Sequence, residues 1–156
     1  MDNRMRNLLS ETAAQVFETM YYIFFSRLHS LPADLDWATR HRYVKAVVSF
    51  TGKGGGALTL FMPVPLARMV TTNFLGIDRS EVSEQQIQDT CREAANMVGG
   101  GFLGQIDPEG EYVLGIPVVT PVADILQEPA VDDRDHQCVF KTEHGLLIIH
   151  LAMPEG

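Results

Sequence analysis

The chain has 156 residues, 46% of them hydrophobic and 21% charged, enough to bury a core without metal or disulfide and too apolar for a disordered segment. A net charge of −8 and a pI near 5.0 disfavour nucleic acid and anionic membrane surfaces as partners, because like charges repel. The two cysteines, Cys91 and Cys138, stand far apart and outside any Cys-x-x-Cys pair, so neither a zinc site nor a disulfide framework is indicated.

The opening MDNRMRNLLSET has charge but no uninterrupted apolar run, no cleavage-site pattern follows it, and no stretch reaches the length of a membrane span. A cytoplasmic protein is expected, folded as one domain over residues 1–156. Residues 4–29 carry a long helical pattern. Leu9, Ala13, Val16, Met20, Phe24 and Leu28 hold one face, and Phe17, Tyr21, Ile23 and Phe25 widen it, which predicts burial on more than one side. LPADLDWATR then reads as a helix exit and loop.

RYVKAVVSFT (42–51) is rich in valine and aromatics, and GALTLFMP (56–63) alternates; the glycines between them predict a β-hairpin. That glycine cluster lacks the spacing of a Walker phosphate loop and no Lys-Ser/Thr leads into a helix. Pro63 and Pro65 open a short helix, VPLARMVTTNFL, which Gly76 closes.

Ser83 to Gly104 is the most informative stretch. Ser83 with Gln86 is a capping-box pattern. Ile87, Cys91, Ala94, Ala95, Val98 and Phe102 form one apolar stripe at roughly 100° per residue. Asp89, Glu93, Asn96 and Gly100 fall within about 60° of one another on the opposite side. A carboxylate and a carboxamide are thus expected one turn apart on an exposed face, ahead of a glycine where a partner can approach closely. The helix end formally matches G-x-G-x-x-G but closes a helix where a dinucleotide fingerprint would open one, which excludes that reading.

QIDPEGE reads as a turn, EYVLGIPVV (111–119) as a strand and TPVADILQ as one helical turn. DDRDHQCVFKTE and HGLLIIHLAMP then read as a final pair of strands joined near Glu143-His144-Gly145. Asp132, Asp133, Asp135 and His136 lack EF-hand spacing and read as a solvated acidic turn. The order of elements predicts an α+β fold: two long helices packed on a largely antiparallel sheet, with a loose internal duplication of helix followed by β-structure.

No Ser-His-Asp set, G-x-S-x-G or H-E-x-x-H is present, and the scattered histidines 29, 41, 136, 144 and 150 read as structural. The spacing Asp89-x-x-x-Glu93-x-x-Asn96, with Gly100 following and Pro117 and Pro121 further on, resembles the signature of the CheC/CheX/FliY chemotaxis phosphatases. Chain length, the N-terminal helix carrying VFETM and the hairpins after each long helix resemble the CheX branch over nearly the whole sequence.

The resemblance implies hydrolysis of the aspartyl phosphate of a CheY-type response regulator. Asn96 would orient the attacking water, Glu93 would pair with the regulator's phosphate-contacting lysine, and Asp89 and Gly100 would extend the contact surface. It implies no cofactor or metal of the chain's own, Mg²⁺ being bound by the phosphorylated regulator, and a homodimer built through the sheet. Family members with two sites repeat the motif on the first helix; here Glu18-Thr19-Met20-Tyr21 places tyrosine where asparagine would be needed, implying one site per chain. The competing reading is a non-catalytic regulator-binding module of the same fold. A small-molecule domain using the crevice between sheet and helices lacks a supporting polar constellation.

Overall fold

The structure is a computed structural model and describes residues 1–153. The first helix, α1 (Asn3–Tyr21), starts at Asp2, whose carboxylate accepts the Met5 N–H at 2.8 Å. It is shorter than the apolar pattern over 4–29 predicts. Tyr22 turns left-handed at φ 55° and the Ile23 N–H closes back on the Phe17 carbonyl at 3.0 Å, a Schellman-type stop. Ile23 is then buried and Phe24 exposed, and residues Ser26–Leu28 form the edge strand β1. The aromatics beyond Tyr21 therefore lie in an irregular link over residues 22–25, and the left-handed stop and the pairing of β1 override a helical period that the sequence carries past Tyr21.

The predicted loop over LPADLDWATR contains a short helix, α2 (Asp36–Arg40), which buries Trp37. The hairpin forms as expected: β2 (Tyr43–Thr51) pairs antiparallel with β3 (Gly56–Pro63). Helix α3 (Val64–Leu75) follows and ends at Gly76 in the left-handed conformation, φ 66°. Helix α4 (Glu84–Ile106) begins with the predicted capping box, Ser83 Oγ accepting the Gln86 N–H at 3.1 Å and Gln86 Oε1 accepting the Ser83 N–H at 2.9 Å.

The strand expected over 111–119 is broken in two, β4 (Val113–Leu114) and β5 (Val118–Val122), both laid against β2. Thr120–Val122, expected to be helical, belongs to β5; the helical turn comes later, at Ile125–Gln127. A four-residue helix α5 (Pro129–Asp132) leads to β6 (Gln137–Thr142) and β7 (Gly145–Ala152), joined by a tight turn.

The sheet runs β1-β6-β7-β3-β2, with β5 and β4 paired to successive stretches of β2, and every pairing is antiparallel. Side chains alternate across it. Leu58, Leu60 and Met62 of β3 and Leu147, Ile149 and Leu151 of β7 meet α1, α3 and α4 in the larger core. Phe61 and Ile148 point the other way, into a second cluster closed by Trp37, Ile125 and Val131. Each large side chain fully buried here, such as Phe17 or Phe102, contributes about 1.5–3 kcal/mol. That double burial explains the nearly continuous apolar runs of β3 and β7.

Candidate functional site on the central helix

Helix α4 fixes the site because its inner stripe is so completely buried. Cys91, Ala94, Ala95 and Val98 are all at 0% exposure, which leaves the opposite ribbon no choice of orientation. Burial pushes the Cys91 thiol up to about 12, so it is a core side chain and not a nucleophile. Asp89, Glu93 and Gly100 are exposed and Asn96 is half-buried at the ribbon's margin.

The four residues are not equivalent. Asp89 is engaged by its own helix, accepting from Arg92 Nη1 at 2.8 Å and Gln85 Nε2 at 2.9 Å. The i,i+3 spacing of Asp89 and Arg92 is visible in the sequence and signals this ion pair. Glu93 and Asn96 make no side-chain hydrogen bond or ion pair among the described residues. A carboxylate and an amide therefore stand one turn apart on a rigid helix with their bonding capacity uncommitted.

The three consecutive glycines do different jobs. A Cβ at Gly99 would lie 3.2 Å from Val48 Cγ1 and 3.3 Å from Leu114 Cδ1, so this glycine lets α4 settle onto the sheet. A Cβ at Gly101 would come within 3.0 Å of Thr12 Cγ2, so this one lets α1 approach. At Gly100 the nearest atom would be Leu114 Cδ2 at 3.9 Å, ordinary contact. Gly100 thus leaves a bare patch of backbone beside Asn96 that internal packing does not require.

On the α1 side, Tyr21 takes the place where a duplicated site would carry an amide. It is fully buried, packs edge-on against Phe17 and Phe74, and its hydroxyl has no partner among the described residues. Burial raises the phenol's pKa above its ordinary range, and the nearby Glu93 carboxylate pushes it the same way. Glu18 is exposed, but a buried phenol offers nothing to a partner from solvent, so α1 presents no second acid–amide pair.

The acidic turn is more ordered than the sequence indicates. Asp133 bridges two imidazoles, its Oδ1 2.8 Å from His136 Nδ1 and its Oδ2 2.8 Å from His150 Nε2. Among the described residues no group of three or more His, Cys, Asp or Glu side chains has the arrangement to hold a metal ion.

Residues 44–141 match the family model described as chemotaxis phosphatase CheX. The chain belongs to the CheX family. The matched span covers the whole of α4 with Glu93 and Asn96 and leaves α1 outside. The fold is shared with the crystal structure of chemotaxis protein CheX from Vibrio vulnificus, at 18% identity and TM-score 0.74 over 99% of this chain and 100% of that one. A CheX from Desulfovibrio desulfuricans matches at 17% identity and TM-score 0.71, covering 97% and 99% of the two chains. The CheX of a CheX–CheY–BeF3–Mg²⁺ complex from Borrelia burgdorferi matches at 14% and 0.68, covering 96% and 97%. A comparison with curated proteins finds no match.

Proposed function

We propose that this chain hydrolyses the aspartyl phosphate of a CheY-type response regulator, with α4 as the docking element. The observation that carries the reading is the uncommitted Glu93–Asn96 pair, exposed glutamate beside half-buried asparagine, on a helix whose other face is locked into the core. Asn96 enters the regulator's site and orients a water for in-line attack on phosphorus; the P–O bond to the aspartate breaks and inorganic phosphate leaves. Positioning is most of what phosphoryl transfer asks of a protein. Glu93 pairs with the regulator's phosphate-contacting lysine and sets the register of the helix. Asp89, already paired with Arg92, and Gly100 widen the contact.

The Mg²⁺ of the reaction is the regulator's, and the chain needs no cofactor of its own. The Borrelia CheX, of the same fold, was solved with CheY, BeF3 and Mg²⁺, which supports a regulator as the partner. No helix among the described residues is long and apolar enough to cross a membrane, in keeping with a cytoplasmic substrate. A homodimer joined through the sheet is part of the proposal; β5, paired among the described residues with β2 alone, offers an edge for it, to be checked by light scattering.

The test is to mix the purified chain with phosphorylated regulators and Mg²⁺ and follow phosphate release. Accelerated release that vanishes with Asn96→Ala is expected. Tight binding with unchanged regulator autodephosphorylation would replace the phosphatase with a non-catalytic binding module.

A further inference from the structure

At the other end of α1 from Tyr21, a cleft of about 610 Å³ opens between the first turns of α1, strand β1 and the segment entering β6. Three of the chain's 12 lysines and arginines line it, Arg6, Arg27 and Arg134. None of the three forms an ion pair with a carboxylate among the described residues. In a chain of net charge −8, this gathering of guanidinium groups makes the cleft a local positive field that attracts anions.

Two of the guanidiniums are held in place by neutral groups. Arg6 donates to the Gln137 carbonyl and, at 2.9 Å, to the Asp135 carbonyl. Arg27 Nη1 donates to Asn7 Oδ1 at 2.7 Å, which leaves the Asn7 amide N–H groups without an acceptor among the described residues. Arg134 is exposed and has no side-chain bond there. Asp135 supplies the one carboxylate among the lining residues, so positive charge prevails. Guanidiniums fixed before binding cost less to immobilise and match phosphate oxygens in pairs.

Size and the remaining lining narrow the ligand. The volume is in the range of roughly 300–1,000 Å³ typical of sites for organic ligands, far more than a single phosphate needs. His29 lines the same cleft, and an imidazole is a side chain on which a planar base can stack. We infer that this cleft binds a nucleotide, its phosphates on Arg6, Arg27 and Arg134 and its base against His29. The site is separate from the acid–amide ribbon of α4 and does not depend on the phosphatase reading.

Isothermal titration of the whole chain with ADP, GDP, CDP and UDP, with adenosine and with inorganic phosphate, tests it without any activity assay. Saturable binding of at least one nucleotide is expected, with adenosine silent and inorganic phosphate much weaker. Arg27→Gln and Arg134→Gln change exposed side chains and leave the melting temperature in place, yet each weakens binding by about tenfold or more, as loss of a charged hydrogen bond does. Lys53→Gln, on the distant hairpin turn and paired with Glu111, leaves binding unchanged. Absence of saturable binding by every nucleotide overturns the inference. So does binding that survives both arginine substitutions, or phosphate bound as tightly as the nucleotides.

Discussion

Thr12 on α1 lies so close to Gly101 on α4 that a Cβ added to the glycine would stand 3.0 Å from the threonine methyl. The same threonine accepts a hydrogen bond from Gln105 Nε2 at 2.7 Å, so the two long helices are joined at this level by both packing and polarity. Glycine inside a helix costs about 0.5–1 kcal/mol relative to alanine, and here the cost is offset by close approach. Gly100, one residue earlier, has no such compensation. Gly100→Ala is therefore expected to raise stability in urea unfolding by up to about 1 kcal/mol, whereas Gly101→Ala gains nothing or destabilises. Under the proposed docking, the methyl at Gly100 also weakens the complex with the phosphorylated regulator, since the partner meets that turn. Gain of stability together with full affinity would remove Gly100 from the contact surface.

Tyr21 is expected to behave as a core residue with a polar group to spare. Its hydroxyl is buried without a partner among the described residues, so Tyr21→Phe should be neutral or stabilise by about 1 kcal/mol. Tyr21→Ala, which removes a ring packed on Phe17 and Phe74, should cost about 3–5 kcal/mol. Glu18→Ala should leave hydrolysis nearly intact, because α1 has no amide to work with. A folded Glu18→Ala variant as inactive as Asn96→Ala would mean that the first helix still serves catalysis.

Asn96 and Glu93 should separate chemistry from binding. If Asn96 acts by orienting water, Asn96→Ala abolishes hydrolysis while affinity for a regulator held with a stable phosphoryl mimic is largely retained, as expected for an interaction made mainly in the transition state. Glu93→Ala should weaken both, since its ion pair forms on docking; truncating one partner of a water-excluded charge pair costs about 2–5 kcal/mol. Single-turnover phosphate release and equilibrium titration, run on the same variants, decide between these roles. Wild-type hydrolysis by Asn96→Ala would sink the water-orienting role.

Asp133 makes stability depend on acid. Its hydrogen bond to His150, and next that to His136, hold its carboxyl below the usual carboxylate range. A depressed native value means that the linked stability is fully present above the ordinary value of about 3.9 and is lost as pH falls through the lowered one. Asp133→Asn should therefore lower the melting temperature at neutral pH, and its deficit against wild type should shrink below about pH 4. A deficit that stays constant across that window would assign the loss to packing instead of charge.

Much of this architecture follows from local rules, and the sequence states those plainly. The capping box at Ser83, the stop at Gly76, the hairpin of β2 and β3 and the buried stripe from Ile87 to Phe102 each depend on residues within a few positions of one another. The ribbon of Asp89, Glu93, Asn96 and Gly100 was legible for the same reason: helical geometry alone sets its angle, and the buried stripe chooses which side faces out. Non-local partners decided the rest. The apolar pattern after Met20 fits a longer helix, and only the left-handed stop at Tyr22 and the pairing of β1 with β6 take residues 22–28 out of it. The second apolar face of the sheet became covered because Trp37, Ile125 and Val131 converge there from three separate segments, a meeting no period reveals. Neither the burial of Tyr21 beside Glu93 nor the separate reasons for Gly99 and Gly101 have a signature along the chain, because each is a relation between elements brought together only when the helices settle on the sheet.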